Sequence, residues 1–131
     1  MNIVKTLSIL IVLFFANIAI AQSVSDKWPA IKTFHGVMSE TFHPAEEGNL
    51  EPMRTRSLEM FEKAEALLKS EIPAEFQTPK ILSAAERIQI QSKALHKMVL
   101  SKATDAELTA KLTTLHDVFH EIVGLCGSEQ H

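Results

Sequence analysis

The chain is poor in most of the residues that specialised architectures need. Its one cysteine, Cys126, cannot close an internal disulfide. A small exported domain with this composition must be held by its core, a metal or a cofactor. Tyrosine is absent and glycine occurs only four times. No run alternates β-branched and polar residues, and no Asn-Gly joins two such runs, so strand hairpins are not expected. Thirteen Lys and Arg stand against sixteen Asp and Glu with no basic stripe, which makes the chain a poor candidate for binding nucleic acid. There is no H-E-x-x-H, so a zinc-protease helix is excluded, and there is no C-x-x-C-H. Internal repeats and low-complexity tracts are also missing.

What is present begins with a targeting segment. Lys5 precedes an apolar run from Leu7 to Ile20, and Ala19-Ile20-Ala21 has small residues where a signal peptidase reads. Residues 1–21 are therefore read as a secretory signal peptide cleaved after Ala21. The mature protein would then be periplasmic or secreted, with no stable membrane anchor. Losing Lys5 takes the formal charge of −3 to −4. Residues 22–131 fit a single domain with one core.

Four helical segments follow, separated by breakers. The first is expected from about Asp26 to His43, capped by Ser25 or Asp26 and ended by Pro44, with Ile31, His35, Met38 and Phe42 on its apolar stripe and Phe34 bordering it. Pro44 to Pro52 reads as an ordered connection. The second helix is expected from about Pro52 to Ser70, burying Met53, Ser57, Met60, Phe61, Ala64, Leu67 and Leu68. The third runs from about Thr78 to Ser101, with Ile81, Ala85, Ile88, Ser92, Leu95 and Val99 on one side. Thr104 and Glu107 form a capping box that opens the fourth, which reaches about Leu125, where Gly124 and Gly127 help to finish it before a tail frayed from about 127. This pattern predicts an all-α, antiparallel up-down-up-down four-helix bundle.

His116 and His120 lie four apart on the last helix, so both imidazoles lie along one side of it. With the first and last helices antiparallel, His35 comes level with about residue 118, between that pair, at about 1.5 Å of rise per residue. The expectation is three imidazoles converging in the bundle core. Glu59, Met60, Arg87 and Gln91 fall at the same level. His43 lies about 12 Å further along and is a fourth candidate; otherwise it is a residue at a helix C-terminus. His96 falls nearer the His43 level. Asp117 and Glu121 point away from their histidine neighbours, and Glu40 or Glu59 could orient the rings instead. Three histidines and a carboxylate suit Zn²⁺, Cu²⁺ or Ni²⁺. Cys126 is read as an ordinary buried thiol, with a thiolate ligand or a dimer disulfide as the other readings.

From Trp28 to Leu125 the helix layout resembles the cytochrome c′ and cytochrome b562 group of exported four-helix bundles. In that group the last helix carries a haem-ligating histidine, which His120 would match. In the b562 type a methionine on the first helix is the other ligand, with Met38 as its counterpart. The resemblance implies the bundle fold and a haem alternative. Asp117-Val-Phe-His120 stands where the c′ type has its cysteines, so covalent haem is excluded.

The reading is an exported bundle that binds a transition metal through His35, His116 and His120, with His43 as a fourth candidate. Sequestration, delivery or sensing is expected rather than catalysis. The alternatives are a non-covalent haem b protein for electron transfer or gas binding, with His120 and Met38 axial, and a metal-free interaction module using the Pro44–Pro52 connection.

Overall fold

The computed structural model describes residues 24–128. The expected signal peptide and residues 129–131 of the tail lie outside them. Every described element is helical: α1 (Pro29–Glu46), α2 (Glu51–Lys69), a 3₁₀ turn (Ala74–Phe76), α3 (Pro79–Leu100) and α4 (Asp105–Ser128). Among the described residues no helix is long and apolar enough to cross a membrane.

Local chemistry sets the helix starts. Pro29, Pro52 and Pro79 occupy first-turn positions, where a missing N–H costs nothing. Thr78 caps α3, its Oγ1 accepting from the Ile81 N–H at 3.3 Å. The expected capping box opens α4: Glu107 N–H donates to Thr104 Oγ1 at 3.2 Å, and Thr104 N–H donates to Glu107 Oε2 at 3.1 Å.

α1 departs from expectation at both ends. Its N-cap is Trp28 rather than Ser25 or Asp26. The Trp28 N–H donates to the Val24 carbonyl at 2.9 Å, so the helical turn at 24–27 leads directly into α1. Pro44 does not end the helix but lies within its last turn. That close to the terminus it forfeits only the N–H that would reach the Glu40 carbonyl. The chain closes just beyond, where the Glu47 and Asn49 N–H groups both donate to the Pro44 carbonyl and Gly48 N–H donates to that of Ala45. Gly48 has φ +89°, a conformation that favours glycine.

Successive helices pack on one another, and α1 meets α4 over a smaller area, giving a bundle-like arrangement around one core. Phe34 and Met38 of α1, Met53, Met60 and Leu67 of α2, Ile81, Ile88 and Leu95 of α3, and Leu108, Leu112, Leu115 and Ile122 of α4 fill it. Each such side chain contributes about 1.5–3 kcal/mol by leaving water. At one end Trp28, fully buried, stacks on Phe76 with ring centroids 6.2 Å apart. Its indole N–H donates to Ser70 Oγ at 3.0 Å, tying the start of α1 to the end of α2.

The buried face of α1 is Ile31, Phe34, Val37, Met38, Thr41, Phe42 and Ala45. Phe34 lies at its centre, and His35 does not belong to it. Each helical residue advances about 100°. A stripe that includes Phe34, Val37, Thr41 and Ala45 therefore turns His35 onto its shoulder.

Candidate metal centre

That rotation moves the histidines out of the core. His35, His43 and His120 are exposed and His116 is half-buried. The expectation of imidazoles meeting across an internal cavity is corrected: the rings gather on the outer seam between α1 and α4. The expected level is still met, since the His35 ring lies parallel to the Phe119 ring with centroids 5.0 Å apart.

One motif places three of these rings. Phe34-His35, Phe42-His43 and Phe119-His120 are Phe-His dipeptides. Each phenylalanine is buried, so the next residue, about 100° further round, falls at the edge of the apolar face. The buried rings then become shelves for imidazoles. Phe119 carries His35, and Phe42 carries His116 at 3.9 Å and 11° between planes. Sequence reasoning missed Phe42 and Phe119 as parts of the site, although the recurring dipeptide was the available signal.

The central geometry belongs to α4. His116 and His120 meet edge to face at 79°, and their Nε2 atoms are 3.2 Å apart, so one Nε2–H donates to the other nitrogen. Metal–imidazole bonds are about 2.0–2.1 Å, so two nitrogens at this separation subtend about 100–105° at a shared ion, near the tetrahedral angle. An ion there would replace the shared hydrogen bond, each ring keeping its proton on Nδ1. Partial burial, then the charge of His120, lowers the pKa of His116, with His43 adding to the effect against the opposing pull of Asp117 and Glu46. Partial burial of His35, followed by His120 and then His43, lowers the pKa of His35. Both shifts favour the neutral ring, the form that binds metal.

The remaining candidates are placed apart from this pair. His43 Nδ1 lies 3.4 Å from Glu46 Oε2. His96 is not near the seam; its Nδ1 lies 2.8 Å from Ser57 Oγ, between α2 and α3. Glu40 and Glu59, expected as orienting acids, both pair with Arg56. Glu121 pairs with Arg87, Oε1 to Nη2 at 2.6 Å. Cys126 is fully buried. Among the described residues no group of three or more His, Cys, Asp or Glu is arranged to hold an ion. The structure thus brings together two imidazole nitrogens, with His35 and His43 flanking them.

Met38 is fully buried in the core whereas His120 is exposed. A groove of about 620 Å³ lies at the Trp28 end, lined by Trp28, Ser70, Ile72 and Pro73 among others, and touches neither residue. Comparison with protein families, curated proteins and solved structures gives no match for this chain.

Proposed function

We propose that this chain is an exported antiparallel up-down-up-down four-helix bundle that binds a transition metal ion, Zn²⁺, Cu²⁺ or Ni²⁺, at the α1–α4 seam for sequestration, delivery or sensing. The observation that carries the reading is the 3.2 Å approach of the His116 and His120 Nε2 atoms, a spacing that suits two ligands of one ion. The bundle topology is supported by side-chain pairings. As numbers rise along α1 from His35 to Phe42, their α4 partners fall from Phe119 to His116. Trp28 at the start of α1 meets Ser70 at the end of α2. A half-buried and an exposed donor suit an ion that must be given up as well as taken. His35 and His43 are the side chains that could join the pair after a rotamer change.

Metal analysis and a visible spectrum of the protein, purified without a histidine tag after growth in metal-supplemented medium, test this. Bound Zn, Cu or Ni that disappears in the double variant His116→Ala/His120→Ala is expected. Metal content unchanged in that variant would refute the assignment, and a Soret band would replace it with the haem reading. That reading has no particular geometric support, given the separate settings of Met38 and His120.

A further inference from the structure

Two donors leave an ion incompletely coordinated, since zinc held by protein is almost always four-coordinate. At the α1–α4 seam His116 is half-buried against Phe42, and His120 is the more exposed ring of the pair. An ion held there would lie at the protein surface, where a second copy can reach its open positions. An identical histidine pair from another copy, related by a two-fold axis through the ion, would fill both, and the angle of about 100–105° within each pair lies close to what a four-imidazole tetrahedron needs.

We infer that the His116–His120 pair is half of a metal site completed by a second copy of this chain, so that the ion bridges a symmetric dimer. This rests on the metal reading above. The surroundings explain why the association would require the ion. Asp117 and Glu46 act electrostatically on His116, and the chain carries a net negative charge. A divalent cation between two copies would offset that negative charge. His35 is outside the proposed ligand set because its ring rests on Phe119.

The test is analytical ultracentrifugation of the untagged full chain with increasing Zn²⁺, paired with calorimetric stoichiometry. Doubling of the mass at one Zn²⁺ per two chains is expected, reversed by a chelator, lost in His116→Ala and in His120→Ala, and retained in His35→Ala. One ion bound per chain without a change in mass would overturn the bridge while leaving the metal reading intact, with water filling the open positions. No binding at all would overturn both. A zinc-dependent dimer that survives His116→Ala or His120→Ala would overturn the bridge, since the ion would then sit elsewhere. Loss of the dimer in His35→Ala would also overturn it, because a third ligand would then come from the same chain. Circular dichroism of each variant without metal confirms that the fold is kept.

Discussion

Replacing His120 by alanine isolates the contribution of one nitrogen to the proposed metal site. The side chain is exposed, and its ring contacts are with His116 and the edge of Phe119. Alanine is also the better helix former by a few tenths of a kcal/mol, so the metal-free fold should keep its helicity and melting temperature. What is removed is one of two preset nitrogens. Structural zinc sites with four donors bind with about 10–16 kcal/mol, or roughly 3 kcal/mol per donor. At about 1.4 kcal/mol per tenfold, the loss of one donor should weaken zinc binding about a hundredfold. The assay is competition against a chromophoric zinc chelator at slightly alkaline pH, where histidine is neutral, with circular dichroism as the control for folding. His116→Ala should behave alike toward zinc. A His120→Ala dissociation constant within about threefold of the parent would refute the reasoning, because it would mean that the two nitrogens do not share an ion.

Three further outcomes follow from the geometry. Because burial and neighbouring imidazoles lower the His35 and His116 pKa values in the fold, the unfolded chain binds protons at a higher pH than the folded one. Stability should therefore be fully present above the unfolded histidine value of about 6.5 and fall as the pH drops through it. Melting curves across this range should show the decline, and His35→Gln/His116→Gln should flatten it. Thr104→Ala removes the hydroxyl that accepts the Glu107 N–H and should cost about 0.5–2 kcal/mol in urea unfolding. Trp28→Phe loses the bond to Ser70 Oγ, which still donates to the Leu67 carbonyl at 2.8 Å. About 1–3 kcal/mol is expected for the bond together with the smaller ring, followed by circular dichroism because Trp28 is the sole tryptophan.

Helix content and breaks were readable because they depend on local signals. Thr104 and Glu107 form the capping box where the sequence places it, and the third helix starts beside Thr78, which caps it. The axial level of His35 was also readable, since rise per residue is fixed and a contact with Phe119 tests it directly. The rotation of α1 was not. The series Ile31, His35, Met38, Phe42 and the series Ile31, Phe34, Met38, Thr41 both satisfy helical spacing. Only the neighbouring helices decide between them, and they take the phenylalanine because leaving an imidazole at the edge avoids desolvating it. Pro44 misled for a related reason. Its local preference is to stop a helix, but one lost hydrogen bond in a last turn is outweighed when Ala45 beyond it is buried. The acids Glu40 and Glu59 were available on paper to orient the rings, yet Arg56 of α2 holds both, one across to α1 and one within its own helix.

Val24 has no surface exposed, and its carbonyl receives the Trp28 N–H. The chain is therefore sewn into the body of the protein from its first described residue, at the end where Trp28 and Phe76 meet. Trimming even to Ser25 would take a fully buried side chain from the core and leave the Trp28 N–H without the carbonyl that receives it.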